Sequence, residues 1–204
     1  MLYIFEEADK IDDDIPETML SRLSKNRRTK VLEIKPPLSK KTSVAVYLLL
    51  RRALFDVYGI DEVVEFEYTA KGKPLLKDHP HIHFNFSHSK NLASCAVSDN
   101  EVGVDIQHIV TVSEAVARRV LSDKEYAGFN AAANKDEYFC EIWTVKESFL
   151  KKTGQGITED IRNITADSVT DKMIYRGMDY FCCVCGNDMA IKQIGREELE
   201  QHGK

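Results

Sequence analysis

The chain has no run of about 18 apolar residues, so nothing in it reads as a membrane-spanning helix. It shows no low-complexity tract, no repeat and no evident linker. A length of 204 residues therefore suits one compact unit or two tightly joined halves. The N-terminus, Met1-Leu2-Tyr3-Ile4-Phe5-Glu6-Glu7, lacks the basic residues of a secretory signal and reads as a first strand. Five cysteines, an odd number without paired spacing, favour a reduced cytoplasmic setting over a disulfide framework. No Gly-x-Ser-x-Gly elbow occurs, and Ser87 and His88 are sequence neighbours whose side chains diverge on a strand, so they form no nucleophile–base pair.

What is present is unevenly spread. The net charge is −5, yet residues 22–41 hold Arg22, Lys25, Arg27, Arg28, Lys30, Lys35, Lys40 and Lys41 against the single acid Glu33. That segment carries +7 and the remainder −12. A local basic field on an acidic chain fits either an anionic ligand held at one place or a solvated helix face. It does not fit a general nucleic-acid coat, which calls for a basic domain overall.

In chain order, residues 2–6 read as a strand and 17–30 as a helix burying Met19, Leu20 and Leu23. After Pro36-Pro37, Ser39 is the expected N-cap of a long helix ending at Gly59. Lys40 and Lys41 then fall in its first turn, where the dipole disfavours cations unless an anion sits there. Residues 63–68 alternate as a strand before a turn at Lys71-Gly72-Lys73-Pro74. His79, His81 and His83 would share one face of a strand, but Pro80 interrupts it and no nearby ligand completes a zinc set. Strands are expected at 92–97 and 101–107, helices at 113–121 and 123–133, strands at 172–175, 181–185 and 189–194, and a short helix at 196–202. Cys182, Cys183 and Cys185 read as small strand hydrophobes.

Two segments stand out. In Trp143–Lys152, helical spacing puts Phe139, Ile142, Trp143, Phe149 and Leu150 on an apolar stripe with Lys146 in its middle. Cys140, Thr144, Glu147 and Lys151 form a shoulder beside it, and Gly154 ends the helix. An amphipathic core helix with a snorkelling lysine would look the same. The other expectation is that Lys146 reaches a partner in the other half of the molecule. In Gly103-Val104-Asp105-Ile106-Gln107, Val102, Val104 and Ile106 face the core, and Asp105 and Gln107 share the opposite face about 6–7 Å apart. Two oxygen ligands on one strand face, with a third from elsewhere, suit Mg²⁺.

Taken together, the basic segment, Lys71-Gly72-Lys73-Pro74, Phe84-Asn85-Phe86-Ser87-His88-Ser89, Val102-Gly103-Val104-Asp105-Ile106 and Trp143-Thr144-Val145-Lys146-Glu147-Ser148-Phe149-Leu150-Lys151 resemble the 4′-phosphopantetheinyl transferases. The likeness is to the larger kind that activates peptide and polyketide synthetases, and it runs from about residue 20 to 157. It implies an α+β fold of two similar halves in one chain related by a pseudo-twofold, residues 1–99 and 100–204, with the active site between them and a monomer as the unit. It also implies a reaction in which a serine of an apo acyl or peptidyl carrier protein attacks the β-phosphate of coenzyme A.

By the same resemblance, Asp105 and Glu147 bind Mg²⁺, and Glu147 takes the serine proton. Lys151 holds the pyrophosphate. Ser87 and His88 contact coenzyme A phosphates, and Lys73 lies beside the adenine nucleotide. Lys41 and Thr42 lie at the 3′-phosphate, with Lys25 and Arg28 nearby. Many family members carry a glutamate where this chain has Gln107, and a neutral amide is a poorer Mg²⁺ ligand. Two other readings use the same residues: a Mg²⁺-dependent phosphohydrolase, and a non-catalytic module that holds an acidic partner through residues 22–41.

Overall fold

The computed structural model describes residues 1–156, 159–186 and 189–201. The first sheet has the order β4-β5-β1-β9, built from β1 (Leu2–Phe5), β4 (His83–Ser89), β5 (Leu92–Ser98) and β9 (Ile191–Gln193). Its pairs are antiparallel except β1 with β9, where Leu2 aligns with Ile191 in parallel. The second sheet, β6-β8-β7, is antiparallel and comprises β6 (Gly103–His108), β7 (Lys172–Arg176) and β8 (Tyr180–Cys185). A separate hairpin joins β2 (Phe66–Tyr68) to β3 (Pro74–Leu76).

The period-2 alternation of the strands sets the layers. On β1, Tyr3 and Phe5 pack beneath the long helix α3 (Pro37–Tyr58) with Val44, Leu48 and Cys95, whereas Leu2 and Ile4 face the second sheet. There they meet Val102, Val104, Ile106, Tyr180, Cys182 and Val184. The far faces of β6 and β8 carry the helix α6 (Lys135–Thr153), with Val145 against Cys183 and Cys185. The order is helix, sheet, sheet, helix, an α+β arrangement. The C-terminal strand β9 and helix α7 (Arg196–Gln201) return to the first sheet, where Ile194 and Leu199 join its core. Residue 202, expected to end α7, lies outside the described residues. All five cysteines are free and buried.

Several expectations are corrected. The helix over 17–30 is two: α1 (Glu17–Leu20) and α2 (Lys25–Glu33). Ser24, extended at ψ 155°, breaks the run and caps α2 by accepting from the Arg27 N–H. The helix α3 starts at Pro37, not after Ser39, because proline at the first helical position has the right φ and no N–H to satisfy. The Lys40 N–H already donates to Pro36 O at 3.0 Å, so Lys40 and Lys41 do not crown an open helix end. The strand over 63–68 shortens to β2, since the Val64 carbonyl is taken by the Tyr47 hydroxyl at 2.7 Å. His79 and His81 precede β4, so the three histidines share no strand face. The stripe on α6 divides: Phe139, Ile142 and Leu150 pack with α4 (Glu114–Val120) and α5 (Asp123–Ala131), whereas Phe149 goes with Val145 toward β8.

Candidate active site

A cleft of ≈ 290 Å³ opens between β4, the end of α6 and the turn carrying Lys71–Pro74, with Glu147 and Lys151 in its wall. Its floor is made by β4 and β6, which lie side by side with side chains doing the work of a backbone ladder. Asn85 Oδ1 accepts from Val104 N at 2.9 Å, Ser87 Oγ donates to Asp105 Oδ1 at 2.8 Å, and Ser89 Oγ accepts from His108 N at 3.2 Å. Positions 85, 87 and 89 share one face of the strand, so all three polar side chains point at β6, where they meet residues 104, 105 and 108. The aromatics at 84 and 86 take the other face with Phe66.

Asp105 and Glu147 converge here, 5% and 7% exposed. Lys151 Nζ sits against Asp105 Oδ1 at 2.6 Å and Ser87 Oγ at 2.9 Å. Burial raises the Asp105 pKa and the Lys151 cation opposes it. Glu147 is pushed up to about 7, first by burial and then by the Asp105 charge. Asp105 Oδ2 and Glu147 Oε1 are both buried without a hydrogen-bond partner. Such oxygens cost roughly 1–3 kcal/mol each when left unmet. A hard divalent cation answers both, and Mg²⁺ needs only one or two protein carboxylates when phosphate and water complete its shell. The donor set therefore fits Mg²⁺. Among the described residues no group of three His, Cys, Asp or Glu side chains forms a protein-only metal cage.

The remaining expected site residues are spread around this centre. Lys73 Nζ pairs with Glu101 and donates to Lys152 O at 2.7 Å, tying the turn to the end of α6 at the rim of the cleft. Ser87 points inward, and His88, on the alternate face of the strand, is exposed. Gln107 lies on the Asp105 face, and its amide Nε2 donates to His108 O at 3.2 Å. Thr42 Oγ1 reaches both Leu38 O and Lys90 O at 2.8 Å, bracing the β4–β5 turn, where Lys90 has φ 51°. Lys41 Nζ pairs with Asp13 at 2.6 Å. Arg28 is held bidentately by Glu17 at 2.7 and 2.9 Å, and Lys25 is exposed at the start of α2.

Two groups escape the sequence reading. Arg27, not Arg28, is the α2 cation turned toward the centre: it donates to Ser43 O at 2.9 Å and lies 5.8 Å from the Phe86 ring centroid. The signal is the capping serine at position 24, which fixes which face of α2 turns inward. Lys146 finds its partner in Glu125, at 2.7 Å, within the same half of the chain and not in the other half as expected. The capping-box pattern Ser122-x-x-Glu125 marks that glutamate as a helix start but not as a counter-ion.

The sequence profile of the 4′-phosphopantetheinyl transferase superfamily matches residues 101–188, which include Asp105, Glu147 and Lys151. The chain is 32% identical over 163 residues to 4′-phosphopantetheinyl transferase HetI of Nostoc sp., covering 74% of this chain and 69% of that protein. It is 29% identical over 180 residues to 4′-phosphopantetheinyl transferase gsp of Aneurinibacillus migulanus, 86% of this chain and 75% of that one. Over 115 residues it is 36% identical to 4′-phosphopantetheinyl transferase Sfp of Bacillus subtilis, 54% and 51% of the two. The chain thus spans about half the length of the Bacillus relatives it matches. With its acidic pair and lysine set in the matched segment of an α+β fold, the chain belongs to the 4′-phosphopantetheinyl transferase family.

Proposed function

We propose that the protein moves the 4′-phosphopantetheine arm of coenzyme A onto a serine of an apo acyl or peptidyl carrier protein, with Mg²⁺, and releases 3′,5′-ADP. The observation that carries this reading is the convergence of two partnerless buried carboxylate oxygens, from Asp105 and Glu147, beside Lys151 in the cleft. Phosphoryl transfer asks mainly for positioning and charge neutralisation. Asp105 and Glu147 would hold Mg²⁺, which supplies neutralisation of the pyrophosphate charge. Lys151, one turn beyond Glu147, holds the pyrophosphate. Glu147, buried beside Asp105, is the group this reading assigns to take the serine proton. From β4 the reading assigns Ser87, already against Lys151, to the phosphates, with His88 reaching them from the strand's other face, and it assigns Lys73 to the side nearest the nucleotide. The reading keeps Lys41 and Thr42 for the 3′-phosphate, with Arg27 joining Lys25 and Arg28 as the basic end of α2.

The test is incubation with coenzyme A, Mg²⁺ and a panel of apo carrier proteins, read by mass for the gain of one phosphopantetheine arm. Release of phosphate or phosphopantetheine without any carrier would identify a phosphohydrolase instead.

The 3′-phosphate assignment has its own check. Lys41→Ala should weaken coenzyme A by about tenfold to a hundredfold, the worth of one charge-assisted hydrogen bond of roughly 1.5–3 kcal/mol. Dephospho-coenzyme A, which lacks that phosphate, should change far less. Equal losses in calorimetry would remove Lys41 from that role.

Gln107 offers a milder probe. It shares the Asp105 face, so Gln107→Glu is expected to shift the Mg²⁺ titration of transfer to lower concentration, and Gln107→Ala to have a small effect. An unmoved titration in the glutamate variant would mean that position 107 does not touch the metal.

A further inference from the structure

We propose that Glu125, acting through the buried ammonium of Lys146, is the positioning residue that fixes the rotation of α6 and so aims Glu147 into the cleft. This rests on the transferase reading above. Lys146 is fully buried at 0% exposure. Its three protons meet three acceptors: Glu125 Oε2 at 2.7 Å, Val120 O at 2.8 Å and Ile161 O at 3.3 Å. Glu125 in turn takes the Ser122 N–H on Oε2 and the Ala166 N–H on Oε1, each at 2.8 Å. One ion pair thus joins the end of α4, the start of α5, the middle of α6 and the segment at 161–166.

Stability does not account for it. A buried pair pays heavily in desolvation, and a well-packed hydrophobe of similar volume is often neutral or better. Methionine at position 146 would continue the apolar stripe with Phe139, Ile142 and Leu150. What apolar contacts lack is direction. Lys146 and Glu147 are adjacent on the helix and point to different sides, so anchoring one ammonium in a three-point cradle fixes where the neighbouring carboxylate goes. A rotation of roughly 10° about the axis moves an atom about 6 Å out by about 1 Å. Misplacement of that size costs on the order of a hundredfold in rate.

The test uses the full chain with Glu125→Gln, Lys146→Met and the double variant. It reads thermal unfolding, Mn²⁺ binding by electron paramagnetic resonance, and kcat and KM for coenzyme A with an apo carrier protein. Each single variant leaves one charge buried without its partner and should lose stability. The double variant should regain it, since the amide oxygen that Glu125→Gln introduces still accepts from the Ala166 N–H. In that folded protein kcat and Mn²⁺ affinity should each fall about tenfold to a hundredfold, whereas KM for coenzyme A holds. Wild-type kcat and Mn²⁺ affinity in the double variant would overturn the proposal, and so would its failure to fold, which would make the pair a requirement of the fold alone. Should the wild type load no carrier while Mn²⁺ affinity still falls in the double variant, the positioning role stands and the transferase reading fails.

Discussion

Glu147→Gln is expected to abolish transfer and, in the metal-free protein above pH 7, to raise the unfolding temperature. The two effects share one cause. Glu147 is buried beside Asp105, and its folded pKa of about 7 stands above the ordinary carboxylate value of 4.5. A carboxyl raised in this way favours the native state while protonated. That contribution is fully present below pH 4.5 and is lost as pH rises through 7, because the unfolded chain gives up its proton first. Above pH 7 the ionised carboxylate burdens the fold by roughly 3 kcal/mol, since each tenfold change in proton affinity is worth about 1.4 kcal/mol. Glutamine removes that burden and relieves the repulsion on Asp105.

The same change removes the group assigned to take the serine proton and leaves Asp105 as the one charged protein ligand, which weakens Mg²⁺ binding most where no phosphate helps to hold it. Scanning calorimetry at pH 5 and pH 8, with and without Mg²⁺, separates the two effects. The variant should gain several degrees at pH 8 and little at pH 5, and Mg²⁺ should stabilise the wild type alone. A variant less stable than the wild type at pH 8 would contradict the buried-carboxylate account.

What can be read from the sequence is whatever depends on local periodicity. The shoulder of Cys140, Thr144, Glu147 and Lys151 on α6, the inward Val104 and Ile106 of β6 with Val102 just before them, and the Gly154 cap at φ 66° all follow from local spacing. What escapes depends on pairs far apart in the chain. Nothing near Lys146 indicates that its counter-ion lies 21 residues earlier at a helix N-terminus. Nothing in the alternation of β4 indicates that Asn85 and Ser89 bind the backbone of β6. The start of α3 is hard to place because a serine cap and a proline at the first helical position compete as signals, and here the proline prevails. Arg27 and Arg28 are neighbours of equal charge, and only the fold decides that one meets Ser43 and Phe86 and the other Glu17.

Gly103→Ala should be among the most damaging single-methyl changes to this site. Gly103 is not among the glycines with positive φ, so it is needed for space and not for backbone conformation. A Cβ there would fall well inside contact distance of the Ser148 carbonyl oxygen and the Lys152 N, and 2.8 Å from Lys152 Cα. All three are backbone atoms of α6, so no rotamer change relieves the clash. The helix must lift from β6, at a cost of about 1–3 kcal/mol or more for overpacking a filled interface. Lifting it also opens the 2.6 Å contact between Lys151 on the helix and Asp105 two residues further along the strand. Stability and transfer are therefore expected to fall together, by several degrees in unfolding temperature and on the order of a hundredfold in rate for a displacement of about 1 Å. Gly195→Ala, where the added methyl meets nothing within 4 Å, is the matched control and should leave both unchanged. If Gly103→Ala unfolds at the wild-type temperature, the close seating of α6 on β6 is not what holds the two carboxylates together.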